Sequence, residues 1–238
     1  MFHTFFYEPL YNLLAVVLTY VPLHDIGLAI VIVTLIVKVI LLPLNMSSLR
    51  TQYGMKRIDG EMKKIRELQK KDPQTAGRQM IELYKREQIN PFASLFVVIL
   101  QIPIFFALYF VFSKGFIADA SSLYSFVSFP ETLHTLAFGL FDVTEKNIVI
   151  ALLAGISSYV LARRQTEGMV EKKESHEEGF QDHLMKSMKL QLLYVIPVIV
   201  AFSGAVLPSA LALYWLVSNV VSYGQDIYMK NKLAHLKP

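Results

Sequence analysis

The chain has 238 residues, 54% of them hydrophobic, and a positive mean hydropathy, which is too apolar for a soluble domain and calls for lipid. A net charge of +4 and a pI of about 9.1 do not point to nucleic acid, because the basic residues come in blocks between long apolar runs rather than on one folded face. With no cysteine there is no disulfide framework and no thiolate metal site.

Taken in chain order, residues 1–24 carry no Lys or Arg before Pro22, so they lack the basic start of a signal peptide and are read as retained. Glu8, Pro9 and Asn12 interrupt them, and they are expected to form an amphipathic helix on the outer interface, rich in Phe and Tyr. A first span follows over 25–45, its apolar run from Ile26 long enough for about 30 Å of hydrocarbon and broken by one charge, Lys38. Residues 46–90 are expected to be a cytoplasmic helical hairpin. Met55, Ile58, Met62 and Ile65 recur at steps of three and four, and Asp72-Pro73 supplies an N-cap and first-turn proline for a second helix carrying Ala76, Met80, Leu83 and Tyr84. The simplest account of this seam is that the two helices pack on each other.

A second span is expected over 91–113. After it, residues 114–146 are dense in aromatics (Phe116, Tyr124, Phe126, Phe129, Phe138, Phe141) and are expected to lie on the outer membrane surface. A third span over 147–163 leads into a polar loop, 164–189. Its His176, Glu177, Glu178, Asp182 and His183 lack the H-E-x-x-H spacing of a metal site and are read as solvated. A fourth span over 190–206, a fifth over 207–228 and a short basic tail over 229–238 complete an all-α membrane protein with five transmembrane helices. Of the 23 Lys and Arg, 20 lie in residues 50–86, in 163–189 and in the tail, which places those segments in the cytoplasm, the N-terminus outside and the C-terminus inside.

No phosphate-binding loop, G-x-S-x-G or S-x-x-K motif and no paired intramembrane carboxylate occurs, so neither an enzyme nor a cofactor is expected. What does occur is polarity at membrane depth, where each group needs a reason. Thr34 and Lys38 share a stripe with Asn45, Gln101 stands just before Pro103, and Tyr214, Ser218, Ser222 and Gln225 recur at helical spacing with Asn219 beside them. Singly, such residues glue helices together or snorkel to the headgroups. Jointly, on three helices, they favour a hydrated groove open to the cytoplasm. The third and fourth spans are short, near 24 Å, which favours a locally thinned bilayer.

Four stretches carry a resemblance: LAIVIVTLIVKVILLPL, NPFASLFVVILQIPIFFALYFVF, FGLFDVTEKN and VLPSALALYWLVSNVVSYGQ. With them the chain resembles the YidC/Oxa/Alb family of membrane insertases, and specifically its bacterial branch. The resemblance implies a five-helix core in the bacterial inner membrane whose groove opens to the cytoplasm and to lipid, with Lys38, Gln101 and the Tyr214 to Ser218 face as groove positions. It implies nascent membrane proteins and lipids as partners, with the ribosome, the signal-recognition-particle pathway and a Sec translocon as further ones, and no specific nucleic-acid sequence. Three departures stand out: lysine replaces the usual groove arginine, no large domain precedes the first core span, and the tail is shorter than the basic ribosome-binding tail of some members. A small transporter using Lys38 as a titrating or anion-binding group is the alternative from another class; it is disfavoured by the large hairpin and the lack of an inverted repeat. A passive assembly chaperone is the third reading.

Overall fold

The computed structural model describes residues 1–69, 71–90, 92–114, 120–166, 187 and 189–234, and most of them are helical. The α-helices are α1 (Glu8–Tyr20), α2 (Ile26–Ile40), α3 (Leu42–Arg57), α4 (Asp59–Gln69), α5 (Pro73–Arg86), α6 (Phe92–Lys114), α7 (Ile148–Thr166), α8 (Ile196–Val206) and α9 (Ser209–Ala234). They build two compact units: Met1–Ile40 with Leu100–Gly224, and Leu41–Ile99 with Gln225–Pro238.

Proline shapes several helix ends. The segment expected as a first span is not one helix, because α2 stops at Ile40 and α3 restarts at Leu42 with Pro43 in its first turn. The proline ring clashes with the carbonyl four residues back and has no N–H to donate, so the continuous ladder ends ahead of it. Two wider turns, His3–Tyr7 and Gln191–Val195, lead directly into α1 and α8, and each stands just before a proline, Pro9 or Pro197. In both, the turn opens to a five-residue hydrogen bond because the ring crowds the ordinary one.

In the first unit, α7 and α8 approach through small residues. A Cβ on Gly155 would sit 2.7 Å from that of Ala201, and one on Gly204 would sit 3.1 Å from that of Ala151, the close backbone approach that such residues permit between helices in lipid. Asn147 caps α7 by accepting from the amides of Val149 and Ile150. The outer faces of α7 and α8 expose Ile148, Leu152, Ile156, Val198, Ile199 and Phe202. Among the described residues α7 alone is long and apolar enough to cross a membrane as a single helix; α2 and α3 together qualify as a bent pair, while 99–113 and 191–206 are shorter apolar helices.

The N-terminal helix is not a lone surface helix. Leu10, Tyr11, Leu14, Ala15, Val17 and Leu18 of α1 are buried in the first unit. Asn12 fastens the 120–146 loop to it, donating to the Ser122 carbonyl at 2.8 Å and accepting from the Tyr124 amide at 2.7 Å. The loop itself carries a small antiparallel pairing, Leu136–Ala137 with Phe141–Asp142. Asp25 caps α2 through the Leu28 amide and also accepts from the Phe138 amide at 2.7 Å. Ser209 at the start of α9 donates its amide to the Glu145 carbonyl and its hydroxyl to the Asp142 carbonyl. Burial acts to raise the Asp142 carboxyl, but donors on Thr144 and Thr135 outweigh it and hold the group below its ordinary range.

In the second unit, α4 and α5 form an antiparallel hairpin around Ile58, Met62, Ile65, Ala76, Leu83 and Ile89, with Met55, Leu68, Met80 and Tyr84 packed against them. Arg57 with Glu87, Arg86 with Glu61 and Lys63 with Asp59 pair on its exposed surface, where such bridges contribute little. Asp72 is the N-cap of α5. Its carboxylate accepts from the Thr75 hydroxyl at 2.6 Å and from the Thr75 amide at 3.1 Å, and these bonds hold its pKa below the ordinary 3.8. A carboxyl depressed in the folded state stabilises above its unfolded pKa and loses that contribution as pH falls through the folded one. Slower amide exchange at Thr75 in the unmodified protein than in Asp72→Ala is therefore expected near neutral pH, with the difference vanishing on acidification below 3.8. A difference that persists there would mean the carboxylate is not the cause.

The polar loop expected over 164–189 lies mostly outside the described residues, and with it the His176, Glu177, Glu178, Asp182 and His183 group. The tail expected over 229–238 is helical as far as Ala234.

Candidate functional site

In the first unit, the 3.6-residue period puts Thr34 and Lys38 one turn apart on the buried face of α2, with Ile30, Val33 and Val37. The same period lines up Tyr214, Ser218 and Ser222 along α9. Lys38 is 8% exposed, and its Nζ donates to Ser222 Oγ at 2.8 Å. Among the described residues no carboxylate pairs with it. Gln101 on α6 donates through Nε2 to the Tyr214 hydroxyl at 2.6 Å, and Tyr214 also shares a hydrogen bond with Ser218. A cavity of about 10 Å³, room for roughly one water, lies between Leu10, Leu14, Ile30, Leu108 and Val111, polar only where Thr34 and Tyr214 reach it.

The structure thus joins Lys38 to Ser222, and Gln101 to Tyr214 and Ser218. Two residues expected in the groove are engaged elsewhere. Thr34 donates its hydroxyl to the Ile30 carbonyl at 2.6 Å on its own helix, which leaves it a cavity wall rather than a partner of the ammonium. Asn219 turns to α7 and donates to Ser157 Oγ at 3.0 Å and Ser158 Oγ at 2.8 Å, so it bonds two helices together instead of facing the Lys38 side.

Two further polar residues escaped the sequence reading. Asn12, which interrupts an apolar stretch of the sequence, holds the loop at Ser122 and Tyr124. Asp226, in the second unit, is buried and accepts from the Tyr53 hydroxyl at 2.9 Å. The signal for Asp226 was present, since it continues the four-residue step from Ser218 and Ser222 inside the expected fifth span.

Chemically, the arrangement offers one cation held by a neutral hydroxyl and an amide–phenol pair, both able to exchange partners with an entering polar group. Residues 18–236 match the family model described as 60Kd inner membrane protein. The membrane protein insertase YidC of Clostridium tetani (strain Massachusetts / E88) is 33% identical over 209 residues, covering 88% of this chain and 83% of that protein. The proteins of that same description from Francisella philomiragia and Francisella tularensis subsp. novicida are each 30% identical over 202 residues, 84% of this chain but 31% of their own length.

Proposed function

The chain belongs to the 60Kd inner membrane protein family, and from that membership we propose that it is a membrane protein insertase of the bacterial inner membrane. In this reading it crosses the bilayer five times, with the N-terminus outside and the hairpin and C-terminus in the cytoplasm. Its groove, built on Lys38, Gln101, Tyr214, Ser218 and Ser222, receives the hydrophilic flank of a nascent segment, and the segment's apolar surface leaves sideways into lipid. No bond is made or broken and no nucleotide is consumed. The ribosome, the signal-recognition-particle pathway and a Sec translocon are partners consistent with that activity.

The observation that carries the reading is the Lys38 ammonium. Lys38 lies in the last turn of α2, and a buried lysine there carries part of the about 2.5 to 3.5 kcal/mol that insertion scales give for the centre of a span. Here a single serine hydroxyl answers it among the described residues, which leaves its charge for an acidic group that arrives from outside the chain. Of the two spans expected to be short, α7 has 19 residues and is long enough to cross, while the apolar helix over 191–206 supports local thinning, its 16 residues at 1.5 Å each spanning about 24 Å against about 30 Å of hydrocarbon. The exposed apolar faces of α7 and α8 suit contact with lipid.

Photo-crosslinkers at positions 38, 101 and 214 test the reading against a stalled nascent membrane protein. All three are expected to capture the client, with position 219 giving little product because it faces α7. Capture of small solutes and not of the client would overturn the reading in favour of a transporter. Insertion by the purified protein in otherwise protein-free liposomes separates an insertase from a passive chaperone.

A further inference from the structure

Within the second unit, α3 is bonded in two directions. Thr51 Oγ1 donates to the Asn90 carbonyl at 3.0 Å and Arg50 Nη2 to Gln88 Oε1 at 3.1 Å, both on the return strand of the hairpin. Gly54 lies so close to Ile89 that a Cβ there would sit 2.9 Å from that side chain. Tyr53, between these residues, does something different: its hydroxyl donates to Asp226 Oδ1 at 2.9 Å. Asp226 is 2% exposed, the one buried carboxylate among the described residues, and the groove has no use for it. A carboxylate withdrawn from water is costly unless donors answer it, and removing one of its donors raises that cost. Met229, also buried, continues the same side of α9 one turn on.

We propose that Tyr53 and Asp226 are a positioning pair. Their hydrogen bond ties α3, and through α3 the whole hairpin, to the C-terminal end of α9, so that the hairpin stands on a fixed base. The part this plays in client insertion rests on the function proposed above; the tie itself does not. Its strength comes from its burial, since water does not compete for a hydrogen bond that lies out of its reach. Lys56 lies over the Tyr53 ring at 5.4 Å, and Tyr53→Phe preserves that contact while deleting only the hydroxyl.

The chain has no cysteine, so the exposed positions Gln74 and Tyr228 can be labelled singly through Gln74→Cys and Tyr228→Cys in the full-length protein. Pulsed electron-spin distances between them, in lipid nanodiscs, are expected to give one narrow distribution. Tyr53→Phe is expected to raise the population outside it about tenfold, the effect of losing one buried hydrogen bond. Asp226→Leu alone should do likewise. The double variant should fall short of the sum, because both substitutions remove the same hydrogen bond.

Client insertion should drop with the broadening in each single variant. An unchanged distribution in Tyr53→Phe overturns the positioning pair, whether or not Asp226→Leu folds. A broadened distribution with unchanged insertion, in a protein that does crosslink its client at position 214, overturns the pair's part in insertion. If the unmodified protein captures no client, the groove reading fails, and the distances alone decide the tie.

Discussion

Lys38→Glu should abolish insertion of clients whose translocated flank is acidic while leaving those with neutral flanks nearly unaffected. The side chain enters a site where the only partner among the described residues is a hydroxyl at 2.8 Å, so Ser222 neither neutralises nor masks the charge. Two opposite charges about 4 Å apart attract by about 4 kcal/mol at an effective dielectric of about 20, and reversal turns that attraction into repulsion of similar size. Screening by water and salt reduces the figure, yet a loss of tenfold or more is expected to remain for the acidic clients.

Lys38→Ala should produce a smaller loss with the same client dependence, and Lys38→Arg should retain activity, because the role requires charge and not the compact ammonium shape. Protease-protection assays on a matched client pair, differing only in acidic residues of the flank, measure this. Wild-type insertion of the acidic client by the Glu variant would reject the charge role even with the groove intact.

Gly27→Val should unfold the end of the first unit where α2 starts. A Cβ at Gly27 would lie 2.2 Å from the Cβ of Ala137 and 2.9 Å from its Cα, far inside contact distance and against backbone rather than a movable side-chain end. Nor can the loop step aside freely. The Phe138 amide is bonded to Asp25 Oδ2 at 2.7 Å, and the Ile26 amide to the His134 carbonyl at 3.1 Å, so Ala137 is held on both flanks. Overpacking ordinarily costs about 1 to 3 kcal/mol, and breaking one or two of these hydrogen bonds adds about 1 kcal/mol each, for a total of about 2 to 5 kcal/mol. Thermal unfolding in nanodiscs should show a markedly lower midpoint even for Gly27→Ala. An unchanged midpoint for that variant would mean the loop is not bound to α2 in the way the structure has it.

The hairpin shows what local sequence can carry. Met62, Ile65, Ala76 and Leu83 were legible as a seam because a helical period and a polar background together imply one buried face, whatever the rest of the chain does. Asp72 was legible as a cap because the side chain and the amide it answers are three residues apart. Pro43 stood in plain view in the first expected span, yet the break at Leu41 was missed because hydropathy is summed along a span and does not register the loss of one N–H. Asn219 and Ser222 are both small polar residues on α9; one faces α7 and the other meets Lys38, and nothing in either residue type says which.

Gly27, Asn12 and Asp226 follow the same logic at longer range. Gly27 is glycine because Ala137, 110 positions later, comes against it; Asn12 bonds residues 122 and 124, and Asp226 bonds residue 53. The lipid environment, the helical class, the family and the short-range caps were determined by the sequence itself, since composition, period and motif are properties of neighbouring residues and survive any arrangement of the helices. Which polar groups meet one another was decided only by tertiary structure, because a hydrogen bond between helices depends on how each is rotated toward its neighbour, and the periods of two helices read separately do not contain that angle.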